Sequence, residues 1–138
     1  MKKKYFLVFL LLMVYLITGC QSKAVAGETV TLPNGSYQNI TADNLNTLLK
    51  NKDFTFVSVH IPFAGTIAGT DLSIPYDQIE QDLSQLPSDK SAKIILYCRS
   101  GHMSAITAEK LVSLGYSNIW NLKGGMAGWE KAGYQIEK

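Results

Sequence analysis

The chain has 138 residues, 46% of them hydrophobic, with 13 Lys and Arg against 11 Asp and Glu for a formal net charge of +2. That length supports one domain with a real core and excludes two. Lys2, Lys3 and Lys4 supply three of the basic groups, leaving 10 basic against 11 acidic residues beyond them, so no basic stripe remains for binding nucleic acid.

Met1-Lys-Lys-Lys4 is a positively charged start. Tyr5 to Ile17 is an uncharged apolar run too short to span a bilayer comfortably, which predicts an export signal over residues 1–19. Ile17-Thr-Gly-Cys20 resembles the lipobox of bacterial lipoproteins, in which the cysteine becomes the lipidated first residue. That resemblance implies a lipid on Cys20 and a place on the extracytoplasmic face of the cell membrane. Of the two cysteines, Cys98 is then the one free thiol, and no internal disulfide is available.

Residues 20–36 mix small and polar side chains and are expected to form the lipidated N-terminus and a tether, with Pro33-Asn-Gly35 as a turn and a short strand at Thr29–Leu32. The folded domain is expected over residues 37–138. Thr41 suits the N-cap of a helix carrying Leu45, Leu48 and Leu49, and Phe54-Thr-Phe-Val-Ser-Val59 reads as a strand. His60 to Pro75 is irregular; His60 is a candidate for the mouth of a site, and Asp71 is a candidate carboxylate for it. Ile79, Leu83 and Leu86 recur at helical spacing, which predicts a helix from Tyr76 to Leu86 stopped by Pro87.

Lys93-Ile-Ile-Leu-Tyr97 is an apolar, β-forming run expected of a central strand covered on both faces. It leads into Cys98-Arg-Ser-Gly-His-Met-Ser104, and then into a helix marked by Ala105, Ala108 and Val112 and ended by Gly115. A thiol at such a strand-to-helix junction faces unpaired N–H groups and the positive end of a helix, which favour the thiolate. Arg99, Ser100, Gly101, His102 and Met103 form a loop whose amides are able to curl around an anion, with Gly101 supplying the tight backbone. Arg99 and His102 add positive charge, and Ser104 suits a helix cap or a hydrogen-bond donor. A lone cysteine after an apolar strand also fits a small buried hydrophobe, and local chemistry alone does not choose between the two. Asn118–Leu122 reads as the last inner strand, followed by Lys123-Gly-Gly and a short helix containing Met126 and Trp129, for which core filling is the plainer role.

Tyr97-Cys-Arg-Ser-Gly-His-Met-Ser104, followed by Gly115-Tyr116, Ile119-Trp-Asn-Leu122 and Lys123-Gly-Gly-Met-Ala-Gly-Trp129, resembles a single-domain rhodanese (sulfurtransferase). The likeness covers about residues 40 to 136 and is weaker in the first half. Many rhodaneses end the earlier strand in Asp-Val-Arg and follow it with Gly-His-Ile-Pro-Gly-Ala; here the strand ends Ser58-Val59-His60 and the loop reads Gly65-Thr-Ile-Ala-Gly-Thr70.

The resemblance implies a rhodanese-like α/β fold, a mostly parallel central sheet with helices on both faces, which the alternation of helices and short apolar strands supports independently. Ligands of such sheets bind beyond the carboxyl ends of the strands, where Cys98 sits. It further implies sulfurtransferase activity: the Cys98 thiolate takes the outer sulfur of thiosulfate, a persulfide or a polysulfide, and passes it to a thiol or cyanide. Residues Arg99 to Ser104 would form the binding loop of a monomer that needs no cofactor or resident metal. Met103 stands where many rhodaneses carry Arg or Lys, which disfavours thiosulfate as the donor. A phosphatase of related fold needs Arg at the position of Ser104 to clamp phosphate. A sulfur-carrier or soft-metal module that does not turn over, using Cys98, His102, Met103 and His60, is the other reading.

Overall fold

The computed structural model describes residues 24–138. The expected signal segment, the Ile17–Cys20 motif and Cys20 itself lie outside the described residues. Six strands form one sheet in the order β1-β2-β6-β5-β3-β4: β1 is Glu28–Leu32, β2 Gly35–Ile40, β3 Thr55–Ser58, β4 Leu72–Ser73, β5 Ile94–Tyr97 and β6 Ile119–Leu122. All neighbours run parallel except β1 and β2. Among the described residues three α-helices cover the sheet: α1 (Ala42–Leu49), α2 (His102–Ser113) and α3 (Gly125–Lys131).

Alternation along the central strand divides the core. Ile94 and Leu96 of β5 join Val57, Ala108, Leu111 and Val112 on the α2 side. Ile95 and Tyr97 join Phe56, Leu45, Met126 and Trp129 on the side of α1 and α3. All four residues of β5 are buried, as a strand covered on both faces requires. The chain is therefore α/β, a mostly parallel sheet sandwiched by helices.

Local signals explain the element ends. Thr41 and Asn44 form a reciprocal capping box at 3.2 Å in each direction, which satisfies two otherwise unpaired donors. Gly115 follows α2 at φ +91°, with Tyr116 N–H donating to Leu111 O and Gly115 N–H to Val112 O, both at 3.0 Å. That bonding pattern closes the helix with a left-handed glycine.

Two expectations require correction. The tether does not extend to Ser36: residues 28–32 and 35–40 pair as a hairpin around Pro33 and Asn34, so a boundary after residue 36 falls inside β2. Thr29 and Gln38 exchange side-chain hydrogen bonds at 2.9 and 3.1 Å, and Val30 and Leu32 pack on the α2-side core. The helix expected over Tyr76–Leu86 is instead a chain of tight turns ending in a 3-10 turn at Leu83–Gln85. Gln78, Gln81, Gln85 and Leu86 each donate to the carbonyl three residues back. Such turns bury Ile79 and Leu86 as the apolar spacing demands, without a continuous helix.

Candidate active site

Cys98 is the first residue after β5 and is 1% exposed. Its Sγ accepts from the Gly101 N–H at 3.1 Å and from the Ser104 hydroxyl at 3.5 Å. Gly101 stands before α2 at φ +92°, and no side chain caps the helix. Ser104 is thus engaged with sulfur rather than with the helix end. Burial pushes the thiol up, but the Ser104 hydroxyl and the N–H groups of Ser104, Gly101 and Ser100 outweigh it and hold the thiol below its ordinary value. Donors fixed around the sulfur favour the anion without reorganisation.

The back of the loop is held by α3. Met126 N–H donates to Cys98 O and Ala127 N–H to Arg99 O, both at 2.9 Å. With their carbonyls turned to α3, the loop's amides are left facing the sulfur. The fit allows no side chain between the two segments, because a β-carbon on Gly125 would lie 2.3 Å from Cys98 O. One on Gly101 would lie 3.0 Å from Gly124 N. The Gly-Gly pair before a short helix was the available sequence signal for this clamp.

Above the sulfur lies a cavity of about 290 Å³ lined by His60, Cys98, Arg99, Ser100, His102, Met103 and Ala127. The structure therefore gathers His60, Arg99, Ser100, His102 and Met103 around Cys98, with Gly101 and Ser104 as donors to its sulfur. Ala127 is the lining residue that sequence reasoning missed. Burial and the Arg99 guanidinium hold the His60 imidazole below its ordinary value. A larger hollow of about 430 Å³ near Tyr37, Gln38 and Trp120 has no cysteine, histidine or charged side chain in its wall.

Asp71 does not belong to this site. Its carboxylate accepts from Phe56 N–H at 2.7 Å and pairs with Lys52 at 2.6 Å. Phe56 stands near the start of β3, beside Ile95, whereas Cys98 lies past the carboxyl end of β5. Among the described residues, no three His, Cys, Asp or Glu side chains are grouped to hold a metal ion. The position a phosphate-clamping Arg would need is occupied by the fully buried Ser104.

The family profile described as rhodanese-like domain matches residues 51–132. A sulfurtransferase of Allochromatium vinosum is 30% identical over 91 residues, which cover 64% of this chain and 83% of that protein. Thiosulfate sulfurtransferase GlpE of Actinobacillus pleuropneumoniae is 39% identical over 49 residues, 36% of this chain and 45% of the relative, so that match spans less than half the relative's length. A rhodanese-related protein from Thermoplasma volcanium superposes with a TM-score of 0.62 at 31% identity, covering 72% of this chain and 97% of the other. A rhodanese-like domain protein from Staphylococcus aureus gives 0.59 at 32% identity, covering 72% and 98%.

Proposed function

The chain belongs to the rhodanese-like domain family, and we propose that it is a membrane-anchored sulfurtransferase that carries sulfane sulfur as a Cys98 persulfide. The observation that carries this reading is the Cys98 sulfur at the floor of the cavity, bonded by Gly101 N–H and the Ser104 hydroxyl. The relatives from Allochromatium and Actinobacillus, named as sulfurtransferases, support it.

In the loading half-reaction the thiolate attacks the outer sulfur of the donor, and the donor's remainder leaves with the bonding electrons. An acceptor then attacks the outer sulfur of the persulfide and releases the thiolate. Two half-reactions through a covalent intermediate give ping-pong kinetics. The inward N–H groups stabilise thiolate and persulfide anion alike. Arg99 is the one full-time cation in the cavity wall and Met103 is neutral, so a neutral or singly charged donor, such as an organic persulfide or polysulfide, suits the site better than the thiosulfate dianion.

The anchor belongs to the same proposal: residues 1–19 are removed and Cys20 is lipidated. Val25 packs against the core and β1 lies in the sheet, so the tether in this proposal ends before Val25.

Intact-protein mass spectrometry of the full-length chain tests the chemistry. Treatment with thiosulfate or polysulfide should add one sulfur atom, which cyanide should remove and Cys98→Ser should prevent. No gain from any donor, with Cys98 open to alkylation, refutes the sulfurtransferase. Loading without discharge to cyanide or a thiol favours a carrier that does not turn over.

A further inference from the structure

One wall residue of the cavity, His60, comes from the segment just past β3, the strand beside the nucleophile's own. Ser58 pairs with Tyr97 in parallel register, and Val59 N–H donates to Tyr97 O at 2.9 Å. Val59 and His60 follow that last pair on one side as Cys98 and Arg99 do on the other, all four just past the carboxyl ends of the two neighbouring strands. His60 thereby enters the cavity from the side, independently of the loop that holds the sulfur.

The cavity wall contains no carboxylate. Arg99 does not exchange its proton at neutral pH, and the Ser104 hydroxyl is committed to Sγ. The Ser100 hydroxyl is too weak a base to take up a proton near neutral pH, which leaves the two imidazoles, of which His60 is half-buried and His102 exposed. We propose that His60 is the general base of the discharge half-reaction, and that the acceptor it serves is a thiol, R–SH. This rests on the persulfide reading of Cys98.

His60 takes the thiol proton as the new R–S to sulfur bond forms and the Cys98 S–S bond breaks. The electron pair of the broken bond stays on Cys98 as its thiolate. The product leaves as R–S–S⁻, and His60 releases its proton to solvent, so no outside oxidant or reductant is needed. The imidazole is suited to this because burial and Arg99 keep it neutral near pH 7. Other titratable groups in the cavity wall are Cys98 and His102, and the segment whose Tyr76 N–H donates to Val59 O carries Tyr76 and Asp77. Residues 61–65 carry no titratable side chain.

The test loads the full-length chain with polysulfide and follows discharge by mass spectrometry. The two acceptors are 2-mercaptoethanol, which arrives protonated, and an arylthiolate that is already ionised. Wild type should keep its 2-mercaptoethanol rate down to about the ordinary imidazole value of ~6.5 or below. His60→Gln should slow that acceptor at least about 10-fold at neutral pH and make its rate climb with the thiolate fraction, roughly tenfold per pH unit. The arylthiolate should recover most of the lost rate. An unchanged pH profile and acceptor ratio, or the same signature in His102→Gln but not in His60→Gln, overturns the proposal. If His60→Gln fails to load, wild type decides alone: a rate that tracks the thiolate fraction throughout overturns it. Failure of wild type to load counts instead against the persulfide.

Discussion

Gly125 and Cys98 meet so closely that a β-carbon on Gly125 would stand 2.3 Å from the Cys98 carbonyl oxygen, and 2.7 Å from the carbonyl carbon and oxygen of Arg99. The contact is backbone against backbone, so no side chain is free to yield. Through it the first turn of α3 fixes the loop around the sulfur, which connects a Gly-Gly sequence to the reactivity of a distant thiol.

Gly125→Ala is therefore expected to push α3 off the loop and destabilise the chain by about 2–3 kcal/mol through overpacking and a strained left-handed backbone. Gly133→Ala is the matched comparison. Gly133 has φ +93° but nothing within 4 Å of its β-carbon position, so it should cost only about 1–2 kcal/mol of strain. Thermal unfolding and the alkylation rate of Cys98 check both variants. Equal effects on the thiol would refute the clamp.

Ser104→Ala removes the one side-chain donor to Sγ among the described residues. The thiol should become harder to ionise, because a hydrogen bond to a charged group contributes about 1.5–3 kcal/mol, or roughly one to two pKa units. Alkylation of Cys98 across a pH series would show the midpoint moving up. A midpoint that stays in place would assign the lowering to the amides alone.

Much of this was legible from the chain. β5 announced itself as four consecutive apolar β-formers, and Thr41 and Gly115 marked helix ends through chemistry confined to a few neighbours. The failures share one cause. The spacing of Ile79, Leu83 and Leu86 reports which side faces the core, and tight turns satisfy it as well as a helix does. Asp71 carries a charge whose partners, Lys52 and Phe56 N–H, are 19 and 15 residues away, and no local pattern names them. The Cys98 loop was readable as a motif. That its carbonyls would be taken by Met126 and Ala127 was not, because that contact depends on how β6 returns the chain beside β5.

Stability should follow the thiol. The folded Cys98 thiol lies below its ordinary value, so above that lowered value the unfolded chain binds more protons than the native one. Folding stability should consequently rise with pH up to about 8.5, the unfolded thiol's value, and be lost as pH falls through the folded value. Below about 6.5 His60, also held low, adds a slope of the same sign. Denaturant unfolding between about pH 6.5 and 8.5 isolates the cysteine, and Cys98→Ser should flatten that interval. An equal slope in the variant would place the linkage elsewhere.

Tyr97→Phe probes the opposite face of β5. The Tyr97 hydroxyl accepts from Ile67 N–H at 3.1 Å and lies 2.7 Å from Thr70 Oγ. Ile67 is fully buried, so losing that acceptor strands its N–H at a cost of about 1–3 kcal/mol. Denaturant titration should show the loss, while the Cys98 alkylation midpoint stays put because Tyr97 points into the core shared with α1 and α3. A shifted midpoint would mean that the loop after β3 and the sulfur are coupled.

Met103→Lys asks which donor the cavity prefers. Met103 is half-buried in the wall, and Arg99 is the cation already there. A second positive charge near the cavity mouth should favour the thiosulfate dianion by about 1 kcal/mol, roughly fivefold in its KM. An uncharged polysulfide-type donor such as an organic trisulfide should gain nothing, because the added charge finds no counter-charge on it. The selectivity between the two donors should therefore move toward thiosulfate, with the larger change at low salt, where exposed charges are less screened. If both donors respond alike, Met103 acts by shape, and donor choice lies with Arg99 and the amides of the loop.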